Sequence, residues 1–395
     1  MSGQSAVRCE DAGAGTHPPE AVRRLFARLR EHAGAGTLSM GSGGAVPVSH
    51  YTSDERLARE RAVLFRRYPL ILGHGSELSP GSARALDVAG LPVMLTRDEG
   101  GTARAFLNVC RHRGMRLLQP GDACPRASLV CPYHGWTYNL DGRLKHFLHP
   151  EAFPGLEPAT HGLVELACAE RHGLIWALPS PGIELNLDSF LQPIDDELGY
   201  FLGDSVLFRR IDVVRKANWK LIIDAFLDGY HLRVLHRDSI YPFFVDALAV
   251  SEFVNPHIRS AAARRRITEA VSLPGTQWDF REHCTFTHFV FPNTVFIFHP
   301  DYASVISVLP VDADHLRWIH QMVIPRAQHT EARRPHWEKT FNLIEQTVFQ
   351  REDLFAAEGI QAGLRSGANE YLTVGRLEHP ICEFHAAIES ALQQS

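Results

Sequence analysis

Long apolar runs are missing from this 395-residue chain. No uninterrupted hydrophobic segment reaches the ~20 residues that cross a bilayer, and the N-terminus lacks the charged-then-apolar pattern of an export signal. A cytoplasmic protein with no membrane partner is expected. Excess charge of either sign is also missing: the formal net charge is −5, which gives no reason to expect nucleic acid or an anionic surface as partner. Cysteine is scarce and odd in number, seven in all, at Cys9, Cys110, Cys124, Cys131, Cys168, Cys284 and Cys382. That scatter excludes the dense, even framework of a secreted disulfide protein. There is no internal repeat. What remains is an average globular composition, 45% hydrophobic and 22% charged, long enough for two domains with their own cores.

Two of the cysteines stand in a special context. Asn108-Val109-Cys110-Arg111-His112-Arg113-Gly114 and Val130-Cys131-Pro132-Tyr133-His134-Gly135-Trp136-Thr137-Tyr138 offer a C-x-H and a C-x-x-H pair, separated by 18 residues. Two thiolates and two imidazoles can hold a [2Fe-2S] cluster, cysteines on one iron and histidines on the other, at a raised reduction potential because less negative charge opposes the incoming electron. The same four ligands could hold tetrahedral zinc. A zinc finger usually shows C-x2-4-C and H-x3-5-H, whereas each loop here carries one cysteine followed closely by one histidine, which favours the cluster. Cys124 fits no ligand slot, and the remaining cysteines read as buried free thiols.

The chain divides into an N-terminal arm (1–45), a small β domain with a flanking helix carrying the Cys-His loops (46–182), and a larger domain (183–395). The piece from Ala21 to His32 reads as a solvated helix or peripheral arm, and the segment from Ser53 to Arg67 as one surface helix ended by Pro69. Short apolar runs with turn signals between Leu70 and Val109, and again around the Asp141-Gly142 turn, predict antiparallel strands. The larger domain opens on a strand at Phe208 to Lys216. A helical segment follows from Trp219 to about Leu235, then a sheet over Thr285 to Phe298, Ala303 to Leu309 and Leu316 to Ile324, and a long helix from about Arg334 to Leu364. The fold class is α+β: a small antiparallel β domain followed by a helix-covered antiparallel sheet domain.

Within that helical segment, Asp228, His231 and His236 form a D-x2-H-x4-H pattern that needs one more carboxylate to complete a two-histidine, one-carboxylate face for non-haem Fe(II), with positions left open for dioxygen and substrate. Residues five apart, such as His231 and His236, do not share a face of a regular α-helix. They align across a π-type bulge or where a helix unwinds, a distortion Gly229 would ease. The competing reading is a surface helix with two incidental histidines among 22.

The surroundings of the first ligand set, Cys-Arg-His-Arg-Gly and Cys-Pro-Tyr-His-Gly-Trp, match the Rieske iron-sulfur signature almost letter for letter. With the second pattern, the sequence from about residue 50 to 390, including the lead-in Arg104 to Cys110, resembles the catalytic α subunit of a Rieske non-haem iron oxygenase. The resemblance implies that Cys110, His112, Cys131 and His134 hold the cluster and that His231 and His236 bind the mononuclear iron. It also implies that Asp228 is the bridging carboxylate, linking His231 to His134 of an adjacent subunit in a ring-shaped homotrimer. The third iron ligand would come from a late Glu-Asp pair, here Asp353, with Glu352 as the alternative. Many relatives have Glu-Asn where this chain has Asp224-Ala225, and Asp224, four residues before Asp228, could share its face.

The activity implied is O2-dependent hydroxylation, dihydroxylation or oxidative demethylation of a small aromatic or quaternary ammonium substrate. Electrons from NAD(P)H would arrive through a ferredoxin or flavin reductase, since the chain has no G-x-G-x-x-G unit of its own. Phe226, Leu227, Phe289, Phe296 and Phe298 are the candidates for an apolar pocket wall, although general burial habits favour plain core for most of these aromatics. Two other classes remain: a Rieske electron-transfer or redox-sensing protein with an inactive second metal site, and a zinc-stabilised binding module.

Overall fold

A computed structural model describes residues 17–125 and 128–394. Cys9 and the first 16 residues of the expected arm lie outside the described residues, as does the side chain of Cys124. The smaller β region is built from three antiparallel sheets. The largest has the strand order Glu165–Leu166, Ala103–Leu107, Leu91–Arg97, Ser82–Val88, Ala123–Pro125. A second joins Leu129–Val130, Thr137–Tyr138 and Leu144–His146 through the expected turn, where Gly142 sits at φ +86° and donates to the Asn139 carbonyl. No L side chain would fit there: a Cβ would lie 2.5 Å from the ring of Phe106. Between the two sheets Met94, Phe106, Leu117, Leu118, Trp136 and Tyr138 pack with both loop cysteines. The third sheet, Cys168–Arg171, Leu174–Ala177 and Leu70–His74, leads to the second half of the chain.

That half is organised on one seven-stranded antiparallel sheet, in the order Ser205–Arg215, Leu316–Pro325, Ala303–Pro310, Thr294–Phe298, Cys284–Val290, His257–Arg264, Phe244–Val254. The last two strands are absent from the sequence reading. His257–Arg264, rich in alanine and interrupted by arginines, carries little of the β-branched and aromatic signal that marks a strand, and pairing with Cys284–Val290 extends it; Phe244–Val254, whose apolar residues are broken by Asp246, Ser251 and Glu252, pairs in turn with His257–Arg264.

One helix departs from expectation. Glu20–Ala35 is neither solvated nor peripheral: Val22, Leu25, Phe26 and Leu29, spaced i, i+3, i+4, i+7, are at most 1% exposed and lie against Phe280, Phe286, Val250 and Ala261 on one side of the large sheet. Arginines on the outer stripe misled the sequence reading, because two of them are contacts: Arg24 and Arg28 both bond Glu252. Asp54–Arg67 is the expected surface helix, with Asp54, Glu55, Ala58, Arg59 and Ala62 exposed on its outer face. Capped by Ser53, whose side chain accepts from the Arg56 amide, it buries Leu64 and Phe65 fully against Trp219 and the C-terminal helix His379–Gln393. Its Glu60, fully buried, accepts from Lys220 Nζ at 2.8 Å and Trp219 Nε1 at 2.9 Å.

The expected long late helix is present but not uniform. Arg334–Asn342 and Leu354–Leu364 are α-helical, and Leu343–Asp353 between them is wound as a π-helix. Buried Glu345 stands inside that widened stretch, bonded to His320 Nδ1 at 2.7 Å, with both side chains fully shielded from solvent. The distortion ends at Asp353.

Candidate active site and its two metal-binding clusters

The two Cys-His loops are built alike. In the first, the Cys110 amide donates to Met115 O (2.8 Å) and the Gly114 amide to Cys110 O (3.0 Å); in the second, Cys131 donates to Trp136 O (2.7 Å) and Gly135 to Cys131 O (3.0 Å). Each glycine lies four residues after its cysteine and at positive φ, +77° and +70°, so each loop closes on a residue that needs the left-handed region. Asn108, 1% exposed, holds the first loop by accepting from the Leu117 and Leu118 amides and donating to Leu118 O.

The loops bring His112 and His134 together, with ring centroids 4.6 Å apart, above two buried, free thiols at Cys110 and Cys131. Trp136 stacks flat on His112 (5.0 Å, 6°), and the Tyr138 hydroxyl lies 3.3 Å from Cys110 Sγ. Burial pushes the Cys110 thiol up, and a bound metal is what would hold it as thiolate. His112 Nδ1 is buried with no hydrogen-bond partner among the described residues, the condition of a nitrogen that faces a metal. Soft thiolates on one side and imidazoles on the other fit a Rieske cluster.

At the second pattern the helix Trp219–Leu227 stops at Asp228, the backbone unwinds through His231, and a short turn Leu232–Leu235 delivers His236. The five-residue spacing is therefore met by unwinding. His231 Nε2 and His236 Nε2 stand 3.2 Å apart, with Asp353 Oδ1 at 3.2 Å from His236 Nε2 and 3.7 Å from His231 Nε2. Three donors binding one ion at right angles through bonds near 2.1 Å would be about 3 Å apart, so the trio fits a common metal. The three ligand atoms all lie within 4.8 Å of one another.

The remaining carboxylates are sorted by geometry. Glu352 turns away from the trio and takes the other face of His236, its Oε2 2.7 Å from Nδ1, while also accepting from Ser239 Oγ at 2.7 Å. Burial disfavours the charged form of His236, but hydrogen bonds and charge from Asp353 and Glu352 outweigh it and lift the imidazole above its ordinary value. Asp228 Oδ2 lies 3.0 Å from His231 Nδ1, and its Oδ1 accepts the Tyr230 amide. Each histidine thus has its Nδ1 tied to a carboxylate and its Nε2 free to face the ion.

Asp224 does not join Asp228. It is buried, accepts the Tyr51 hydroxyl at 2.6 Å and pairs with His385 Nε2 at 3.1 Å. It belongs to the seam between the N-terminal segment, the helix Trp219–Leu227 and the C-terminal helix, a long-range set of partners that no local pattern reveals.

A cavity of about 510 Å³ opens on the trio. Phe226 and Leu227 line it as expected, but Phe289, Phe296 and Phe298 do not. They are core, at most 1% exposed, since alternation along a strand turns Phe296 and Phe298 to the far side of the sheet and leaves Ile297 toward the cavity. Sequence reading also missed Phe243, Phe349 and Arg264 on the cavity wall. None carries a local signal, and two lie on elements whose cavity-facing residues only the tertiary fold selects.

A Cys2His2 cluster site and, on the same chain, a two-histidine, one-carboxylate trio that faces a cavity define a two-centre iron oxygenase. The model of the family described as Rieske [2Fe-2S] domain matches residues 69–158, and that of the Ring hydroxylating alpha subunit (catalytic domain) matches residues 202–394. Carnitine monooxygenase oxygenase subunit of Acinetobacter pittii (strain PHEA-2) is 27% identical over 339 residues, spanning 81% of this chain and 85% of its own. Biphenyl 2,3-dioxygenase subunit alpha of Rhodococcus jostii (strain RHA1) is 30% identical over 266 residues, 63% of this chain and 54% of its own. Among solved structures, the quaternary ammonium Rieske monooxygenase CntA in complex with an inhibitor superposes with a TM-score of 0.76 over 93% of this chain and 98% of that one at 22% identity, a likeness of fold.

The chain belongs to the Rieske non-haem iron oxygenases as a catalytic α subunit. It is an oxidoreductase with Rieske [2Fe-2S] and mononuclear iron cofactors, fed by a separate reductase or ferredoxin. No helix among the described residues is long and apolar enough to cross a membrane.

Proposed function

We propose that His231, His236 and Asp353 hold the catalytic iron, that Cys110, His112, Cys131 and His134 hold the cluster, and that Asp228 is the carboxylate that bridges the two centres on neighbouring subunits of a homotrimer. The observation that carries the reading is the convergence of one oxygen and two nitrogens from residues 231, 236 and 353 on a point at the cavity wall. When bound, the two iron groups supply one-electron transfer and O2 activation. The side chains do the rest. Asp228 and Glu352 lock the tautomer and ring orientation of the histidines, and Phe226, Val348 and Phe349 keep the cavity dry around the oxidised carbon.

The homotrimer is supported by two sets of apolar side chains left exposed on the single chain. Tyr133 (57%), Val130 (47%) and Leu148 (56%) surround the cluster loops, and Tyr230 (66%) and Val234 (81%) flank Asp228. Apposing the two sets buries both and brings His134 of the partner subunit to Asp228. The substrate is a small organic molecule oxidised at a C–H bond or a double bond. The aromatic walls Phe226, Phe243 and Phe349 suit either an aromatic ring or a quaternary ammonium held by cation-π contact.

Iron and acid-labile sulfide analysis with a visible spectrum tests this. Anaerobically purified wild type is expected to hold three irons and two sulfides per chain and to consume O2 with reductant and substrate. His231→Ala is expected to keep the cluster spectrum, lose the third iron and consume no O2. Retention of all iron by His231→Ala refutes the assignment.

A further inference from the structure

The cavity-facing side of the large sheet is small and polar. Ser260 and Ala262 point into the cavity from one strand, Thr285 and Thr287 from the next, and all are short side chains that leave room for a ligand. One long side chain breaks that floor. Arg264, two positions beyond Ala262 on the same face, lines the cavity with its guanidinium between the rings of Phe243 and Phe244, 5.8 Å from each centroid.

Among the described residues Arg264 has no carboxylate partner. Its one hydrogen bond is a long one, 3.5 Å to Thr285 Oγ1, and no acid among the described residues lies within 4 Å of it. The nearby acids are engaged elsewhere: Glu282 bonds Arg266, and Asp301 lies 3.3 Å from His336 Nε2. A guanidinium stays charged when half-buried, and its fixed fork of donors matches a carboxylate in two parallel bonds. A second observation points the same way. His299, beside Arg264 on the cavity wall, has its Nε2 buried with no hydrogen-bond partner, and its ring stacks on Tyr302 at 4.1 Å. Burial and the Arg264 charge hold the His299 imidazole neutral down to about pH 3, so it can donate without adding charge. Lys339, on the same cavity and in no ion pair among the described residues, adds positive potential; of the three acids that line the cavity, Asp228 and Asp353 belong to the iron end and Asp301 lies against His336.

We propose that this corner is a carboxylate-binding subsite, and that the substrate bears a carboxylate bonded to Arg264 and to His299, with its oxidised end directed at the iron trio. The inference deepens the oxygenase reading and rests on it. It narrows the substrate class to aromatic or quaternary ammonium carboxylates, and it assigns Arg264 as the residue that selects them over uncharged or purely cationic molecules of the same shape.

Calorimetric titration of the iron-loaded protein under anaerobic conditions tests it with matched pairs: 3-phenylpropionate against 3-phenylpropionamide, and γ-butyrobetaine against its amide. Wild type is expected to bind the acid of at least one pair about tenfold or more tightly than the amide, the scale of a charge-assisted bond. Arg264→Gln is expected to lose that preference while amide affinity stays within twofold, which a misfolded cavity would not preserve. Arg264→Lys, which keeps the charge and loses the fork, is expected to retain part of it. Equal affinity for acid and amide in wild type, binding of neither member of either pair, or parallel loss of both in Arg264→Gln overturns the subsite. The readout is independent of turnover, so a failed subsite with O2 uptake intact is distinguishable from a failed oxygenase assignment.

Discussion

Glu352 and Asp353 are adjacent acids on one helix, and replacing each by alanine separates their roles. Glu352 Oε2 makes one short bond to His236 Nδ1, at 2.7 Å, while Asp353 Oδ1 belongs to the converging trio. A hydrogen bond to a charged acceptor contributes about 1.5–3 kcal/mol, and outer partners of metal-bound histidines change metal affinity by roughly 10–100-fold, so the two scales agree. Glu352→Ala is therefore expected to weaken Fe(II) binding at the mononuclear site by about that factor. The ring is freed to rotate and to take the wrong tautomer, but the three donors remain. Asp353→Ala removes a donor outright and is expected to abolish stoichiometric binding. The assay is competition with a chromogenic Fe(II) chelator after selective removal of mononuclear iron, with the cluster spectrum as an internal check that the fold is intact. A larger loss in Glu352→Ala than in Asp353→Ala, or no loss at all, refutes the assignment.

Asp228→Asn keeps the shape of the partner to His231 Nδ1 but not its charge; both iron centres are expected to load while reductant-coupled substrate oxidation falls by orders of magnitude, and unchanged turnover in the oligomer contradicts the bridging role. Burial opposes the ionisation of Glu252, but hydrogen bonds and charge from Arg24 and Arg259 outweigh it and hold the carboxyl at about 2 instead of 4.5. A depressed carboxyl contributes stability above its unfolded value that is lost as pH falls toward its folded one, here between about pH 4.5 and 2. The melting temperature of Glu252→Gln is thus expected to lie below that of wild type at neutral pH and to converge with it on acidification; a pH-independent gap refutes the linkage. Phe26→Ala removes a fully buried ring packed on Trp278 and Phe280 and is expected to cost about 3–5 kcal/mol, read as a loss of thermal stability with the cluster spectrum unchanged.

Both metal sites were legible in the sequence to unequal depth, for a local reason. A cluster loop is a short closed turn, so Cys110, His112 and Gly114 must be close in sequence to be close in space, and the spacing alone displays them. The iron trio is half local: His231 and His236 announce themselves through an awkward interval of five, whereas the partner acid arrives from more than a hundred residues away on a helix where two neighbouring carboxylates look alike. Only the π-wound turn, pinned by Glu345 on buried His320, decides that Asp353 faces the histidines and Glu352 stands behind one of them.

The same division explains the errors about packing. Arginine-rich helices read as solvated because periodicity reports a polar stripe without saying what the other stripe meets; for Glu20–Ala35 it meets the back of the large sheet. The aromatic residues of Thr294–Phe298 read as core with a pocket wall as the alternative, because composition cannot tell the two faces of a strand apart when both are covered. By itself the sequence determined the chemistry: which atoms are available to hold iron and sulfur, and that turns of fixed length present them. Tertiary structure alone decided which acid stands with the two histidines, which side chains wall the cavity and where an arginine without a carboxylate partner among the described residues lies in it. Those depend on which side chains separate elements bring into contact, and that is set by the packing of whole surfaces rather than by neighbours along the chain.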